Sequence, residues 1–345
     1  MNKSFNRTQK QGGNIGYLYF LLVVGVFLTA ILSVGVGVET IGAREIFSII
    51  GHYLFDAPLQ EGISHGQVTI ITQLRMPRIL MAMIVGANLA VTGAIFQAIF
   101  RNAMADPFML GISSGASLGA AVGFVMGGFS PFYAFIGAII SNVLVFALSG
   151  IKGKVSTMRL LLSGMAINYL FSAILSFIRT YAEDESLMIF AWGMGSLVGA
   201  SYSRVILLSV ISLPILSIFY LYRRELNILM LGDDIARSLG QDVQKIRRLF
   251  LILSSLLIAV TVSFTGTIGF VGLIIPHMVR LLVGSNYQQT LLLQVFFGAL
   301  FVMLCDNVAR AILSQAEVPL GIVTSLFGAP YFMYLIYKER RRTSG

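Results

Sequence analysis

The 345-residue chain has one cysteine, Cys305, one tryptophan and three histidines. A lone thiol excludes an internal disulfide. His52, His65 and His277 are too scattered for the short ligand spacings of a zinc site, so no metal site is expected. Charge is scarce as well: Asp, Glu, Lys and Arg make up 11% of the residues, against about 25% in soluble domains. A phosphate-binding loop is missing. The nearest approach, Gly153-Lys154-Val155-Ser156, lacks the earlier glycine and the Lys-Ser/Thr pair, so no nucleotide cofactor is expected on this chain. Carboxylates are rare in the apolar segments, and Asp306, beside Asn307 and one turn before Arg310, is the exception. An i,i+4 pair with Arg310 explains it more simply than a proton relay. Nor are there paired carboxylates, a histidine cluster or an activated serine arranged for catalysis within a membrane.

What fills the chain instead is apolar sequence: 57% hydrophobic residues and a mean hydropathy of +0.85. The runs are long and continuous, which predicts an all-α membrane protein rather than a barrel of alternating strands. At about 20 residues per span, about ten spanning helices are expected. They fall near 15–38, 76–100, 108–127, 131–150, 158–178, 203–222, 249–265, 268–283, 291–313 and 320–337. The first run exceeds the core of a cleaved signal, about 7–15 residues, and reads as a retained helix. No linker or soluble domain interrupts residues 1–345, which read as one membrane domain. An even number of spans puts both termini on one side. With those termini inside, eighteen basic residues face inward and six outward, the bias expected of cytoplasmic termini. The net charge of +9 is therefore a topology signal, and nucleic acid is not an expected partner.

One polar island, residues 223–248, breaks the apolar pattern. It cannot lie in hydrocarbon and must sit in water beside the membrane. Asp233 is placed to cap a short helix running to Leu239, Gly240 to stop it, and Asp242 to start a second turn toward Arg248. A folded knob of this kind is a docking element. Elsewhere, Gly111, Gly115, Gly119, Gly123 and Gly127 form a stripe at four-residue spacing. It reads as a close-packing face, with a pathway lining as the alternative. Arg75-Met76-Pro77-Arg78 is expected to open the second helix, with its arginines at the outer water boundary on the same side as Arg310. Snorkelling or a local ion pair would explain them. So would a site for carboxylates of a partner protein. The Gly- and Pro-rich stretch 266–277 predicts a broken helix that is buried or faces a water cavity.

Five segments together, GTIGFVGLIIPHMVRL, RMPR, FRNAMADPFMLGISSGASLGA, MLGDDIARSLG and EVPLGIVTSLFGAPYFMYLI, resemble the FecCD-type permeases in that family's order along essentially the whole chain. These are membrane subunits of bacterial ATP-driven importers for ferric siderophores, haem and cobalamin. The resemblance implies a ten-helix bundle like that of the cobalamin importers, in the bacterial cytoplasmic (inner) membrane. It implies pairing with a second permease copy, either itself or a paralogue, around a central pathway. It also implies a cytoplasmic ATP-binding-cassette ATPase dimer, which would carry ATP and Mg, and an extracytoplasmic substrate-binding protein. The chain itself would then be a translocation subunit and not an enzyme. By the same resemblance, Leu231, Gly232, Asp233, Asp234, Arg237, Leu239 and Gly240 would form the ATPase-coupling element. Arg75, Arg78 and Arg310 would receive glutamates of the binding protein. Asn102 and Met104 in one loop, and Thr157 and Met158 in another, match the inner gates. Asn168 is placed on the pathway by helix position alone. Ferric siderophore is the expected cargo, with cobalamin or haem as alternatives. An ion-coupled transporter is the remaining reading, and it would need an essential carboxylate in mid-membrane.

Overall fold

The computed structural model describes residues 2–37, 39, 41–150, 157–313 and 317–343, and among these the regular structure is helical throughout. In chain order the helices are α1 (Asn2–Gly35), α2 (Ala43–Phe55), α3 (His65–Thr69) and, after a π-helical stretch Ile70–Arg75, α4 (Met76–Phe100). A 3-10 turn, Pro107–Leu110, precedes α5 (Ile112–Val125) and α6 (Ser130–Ser149). Then follow α7 (Thr157–Tyr181), α8 (Ser186–Gly193), α9 (Tyr202–Leu221), α10 (Arg223–Met230) and α11 (Asp233–Ser238). The last four are α12 (Val243–Thr265), α13 (Val271–Val283), α14 (Tyr287–Ala311) and α15 (Leu320–Thr343). Seven described helical segments are long and apolar enough to cross a bilayer. Three shorter apolar ones, Ile112–Val125, Val271–Val283 and Leu320–Leu335, coincide with the remaining expected segments. The segment weighed as a phosphate loop, residues 153–156, lies outside the described residues.

The centre of the bundle is α4, whose sequence is apolar all round and correspondingly buried on nearly every side. Lipid gives helices little hydrophobic reason to associate, so close contact needs small residues. Gly86 of α4 meets Gly298 of α14 backbone to backbone, and Gly93 meets Gly272 of α13 in the same way; a Cβ at any of the four would run into the facing backbone. The glycine stripe works likewise on α5. Gly115, Gly119 and Gly123 press against Gly137, Tyr133 and Ser130 of α6. The stripe ends at its two outer members: Gly111 is the left-handed residue before α5, at φ 76°, and Gly127 faces open space.

Polar side chains in the interior are placed where backbone groups lack partners. Pro276, inside α13, has no N–H for the Gly272 carbonyl four residues back. Gln97 of α4 supplies the missing donor, its Nε2 lying 3.3 Å from Gly272 O and 3.3 Å from Leu273 O. Asn88 Nδ2 donates to Ser212 Oγ at 2.8 Å and to Thr261 Oγ1 at 3.0 Å, tying α4 to α9 and α12.

The second helix does not open at Arg75–Arg78. The helical path runs unbroken from His65 to Phe100, with Pro77 inside it. The π stretch makes this tolerable: Met76 N–H reaches back five residues to Ile71 O, and the wider turn gives the proline ring room. The consequence is that Arg75 and Arg78 lie one or more turns inside the helix, with their side chains buried against the rest of the chain.

Candidate functional site

Three places bear on function: the polar island, a cavity among broken helices, and the arginine cluster at the far end of the bundle from the island. The island folds into α10, α11 and the first turn of α12. Gly232, at φ 108°, is the N-cap of α11, so Asp233 is the first helical residue and not the cap. Its carboxylate is free to turn inward, where it accepts from Arg247 Nη2 at 2.8 Å and faces Arg101 at 3.8 Å. The hydrogen bond from Arg247 holds this carboxyl below the usual range. Asp242 does start the turn toward Arg248, and that turn is continuous with a spanning helix. Its side chain caps α12, accepting from Lys245 N at 3.1 Å, and that helix begins at Val243 rather than near 249. Of the expected polar face, only Asp234 and Arg237 point outward, 3.9 Å apart as an i,i+3 pair. Alongside them Leu231, Ile235 and Leu239 stand exposed at four-residue spacing, a solvent-facing apolar stripe on an otherwise polar element. Leu231 and Leu239 were among the expected coupling residues; Ile235 was not singled out.

Three interruptions of helix meet at the second place. The α8–α9 break at Gly193–Ala200, the α12–α13 break at Gly266–Phe270 and the start of α15 share hydrogen bonds. Ser196 N donates to Thr265 O at 2.7 Å, Leu320 N to Gly195 O at 2.9 Å and Gly321 N to Met194 O at 3.0 Å. Thr267 Oγ1 donates to Gly193 O. Every such backbone group needs a partner away from water, and these breaks supply one another's. Phe270 closes the second break in a left-handed conformation, φ 68°, uncommon for a bulky residue, with its ring against Gly328 of α15.

Beside this knot opens a cavity of about 860 Å³. Ser113, Ser114 and Ser117 line it from the face of α5 opposite the glycine stripe, Asn168 and Ser172 from α7, and Ser325 from α15. Ser114 Oγ donates to Asn168 Oδ1 at 2.7 Å. Thr267, Met194 and Met333 contribute, but no carboxylate, imidazole, thiol or cationic side chain is among the described lining residues. Such a wall offers hydroxyl and amide dipoles to a solute and no site that would strip a metal from its ligands. Asn168 thus stands on the cavity. The four expected gate residues do not: Asn102 Oδ1 accepts from Met104 N at 2.9 Å in the loop after α4, and Thr157 and Met158 begin α7. The serine face of α5 was legible only as the complement of the glycine stripe.

At the third place Asp306 sits between two guanidiniums. Arg78 Nη2 lies 2.8 Å from Asp306 Oδ1, and Arg310 Nε lies 3.1 Å from Oδ2. Arg78 Nη1 also reaches Glu317 Oε2 at 2.7 Å. Arg310 donates to Val36 O at 2.7 Å and Ser33 O at 3.1 Å. Arg75 donates to Val34 O at 2.7 Å and to Glu39 O. The last carbonyls of α1 have no intrahelical donors, and these arginines supply them. The i,i+4 pair expected of Asp306 and Arg310 is present, with Arg78 as a third member.

A helical membrane bundle with an uncharged polar cavity and a folded, water-exposed polar knob has the architecture of a transport subunit, a membrane-embedded translocator rather than an enzyme. The chain belongs to the FecCD transport family, whose model matches residues 22–338, and is a multi-pass permease subunit of an ATP-binding-cassette importer in the cytoplasmic membrane. It is 40% identical over 82% of its length to the cobalamin import system permease BtuC of Halobacterium salinarum, covering 77% of that protein. It is 36% identical to the hemin transport system permease HmuU of Yersinia pestis, over 94% of this chain and 98% of the relative. A solved structure described as an inward-facing conformation of a metal-chelate type ABC transporter superposes with a TM-score of 0.80 at 34% identity, covering 94% of this chain and 99% of that one.

Proposed function

We propose that this permease imports a ferric siderophore by alternating access, as one of two permease copies around a shared pathway. The observation that carries this reading is the cavity wall. A chelate that keeps its metal wrapped needs a passage that does not compete for the metal, and hydroxyls, one amide and apolar surface meet that need. The similarity to a transporter of metal-chelate type points the same way. Cobalamin and haem, named for the two relatives above, are the second reading, because they too travel as enclosed metal complexes.

ATP and Mg belong to a cytoplasmic ATPase dimer in this scheme. The exposed stripe Leu231, Ile235 and Leu239, flanked by Asp234 and Arg237, is the surface laid into it, as an amphipathic helix lies in a groove. Asp233 serves the same element from inside by clamping it to Arg247 and Arg101. Gly232 and Gly240, at φ 108° and 79°, set the turns on either side. Asn102, Met104, Thr157 and Met158 would form the gate on that side. An extracytoplasmic binding protein would dock over Arg75, Arg78 and Arg310, bringing carboxylates to a cluster whose guanidiniums already bind carbonyls and carboxylates within the chain. Asp306, held by two arginines, suits an ion-pair role better than a proton relay.

The test is uptake of radiolabelled ferric siderophores, cobalamin and hemin in cells deleted for this gene and complemented with it. Loss and recovery of ferric chelate uptake alone supports the cargo assignment. Loss of cobalamin or hemin uptake alone replaces it with that cargo.

A further inference from the structure

The two carboxylates on Arg78 differ in reach. The Asp306 side chain is 2% exposed and shared with Arg310, whereas the Glu317 side chain is 29% exposed and, among the described residues, binds the Nη1 edge of Arg78. Any carboxylate arriving from the aqueous side meets Arg78 where Glu317 already sits. Glu317 is also close along the chain to the cavity. Val318 N donates to Ala309 O at 3.1 Å, Leu320 N to Gly195 O at 2.9 Å and Gly321 N to Met194 O at 3.0 Å. Gly321 itself lines the cavity with Met194 and Thr267. A strap of four residues, 317–320, therefore runs from the arginine cluster to the broken-helix knot, with Pro319 limiting its freedom.

We propose that Glu317 is an internal stand-in for the partner's carboxylate, a positioning residue that holds the strap and the start of α15 until a docking carboxylate displaces it from Arg78. The inference rests on the importer reading, with a binding protein docking on the arginines. Exchange of one carboxylate for another at the same guanidinium edge leaves the count of ion pairs unchanged, so docking releases the strap without leaving a buried charge unpaired. Release then passes through the Leu320 and Gly321 hydrogen bonds to the cavity wall.

The experiment uses the transporter assembled with its own ATPase and binding protein in proteoliposomes. The binding protein is titrated and ATP hydrolysis is read. Glu317→Gln removes the competing charge but keeps the shape. The concentration of binding protein for half-maximal stimulation should fall about fivefold or more, because a charge-assisted hydrogen bond no longer opposes docking. Glu317→Asp, which keeps the charge, should stay near wild type. In parallel, Ser325→Cys on the cavity wall, with the sole native cysteine Cys305 buried, should label with a maleimide several-fold faster when Glu317→Gln is added. A residue that only stabilises the fold would lower both the maximal rate and the apparent affinity in Glu317→Gln, and that result overturns the proposal. An unchanged titration together with unchanged labelling overturns it too. If the wild-type complex shows no stimulation by binding protein at any concentration, the docking reading beneath it fails instead.

Discussion

A single carboxyl shows how local geometry sets a pH response. Asp106 caps the 3-10 turn after α4, accepting from Phe108 N at 2.7 Å. Desolvation pushes its pKa up to about 6, against a smaller opposing pull from that hydrogen bond. The folded protein therefore binds this proton more tightly than the unfolded chain. As pH rises from about 4 to about 6 the ionised form is disfavoured in the fold, and stability falls across that window. Asn caps as well as Asp without the charge. Asp106→Asn should raise the melting temperature in detergent at pH 8, by an amount worth about 1–2 kcal/mol for a half-buried group, and the gain should vanish near pH 4. An equal gain at both pH values would show that burial of the charge is not the cause. Asp233 has the opposite sign. Its carboxyl is held low by Arg247, so its contribution is present above about pH 4 and is lost as pH falls through its lowered folded value. None of this partnering was visible along the chain, because Asp233 and Arg247 are joined only once α11 folds back on α12.

Among elements, the decisive contacts are those where side chains are missing. α4 lies against α14 and α13 at glycine pairs, and packing in lipid has only dispersion and hydrogen bonds to sustain it. Gly93→Leu should separate α4 from α13 and pull Gln97 away from the Gly272 and Leu273 carbonyls. Overpacking costs about 1–3 kcal/mol and the orphaned carbonyl a similar amount, so the variant should melt well below wild type, measured by fluorescence in detergent. Gly127→Ala, at the open end of the α5 stripe, should be much milder and limited to the cost of its left-handed φ of 63°. The stripe itself could be recognised from spacing, as could the break at 266–270, because small residues at four-residue intervals and a Gly-Pro cluster have few structural uses. The start of the second long helix could not. Proline beside arginine is an ordinary helix opening, and only the π turn, which no residue pattern announces, lets the helix continue back to His65. At the island the exposed stripe Leu231, Ile235 and Leu239 carries a prediction of its own. Changing all three to serine should leave the permease in the membrane and abolish coupling, read as loss of ATPase co-purification together with loss of uptake. Retained co-purification would move the docking surface elsewhere.

For the molecule as a whole, function depends on how two charged ends flank an uncharged middle. Among the described residues, ion pairs gather at the arginine cluster and at the island, and hydroxyl groups line the cavity. Nothing in that arrangement stores energy, so the purified permease alone in vesicles should equilibrate cargo at most and never accumulate it. Uphill uptake driven by an ion gradient, measured with labelled chelate, would refute the proposed ATPase dependence. The class of protein, its ten apolar segments and its polar island were legible in composition and motif alone, because a helix that crosses a bilayer must be predominantly apolar and charge is expelled to its ends. What only the tertiary structure decided is the use of each charge: that Arg75 and Arg310 close on the end of α1, that Asp233 turns inward, and that Glu317 shares Arg78 with Asp306. Partners 14 to 277 residues apart have no periodicity linking them. Their pairing follows from which helix ends the glycine contacts bring together.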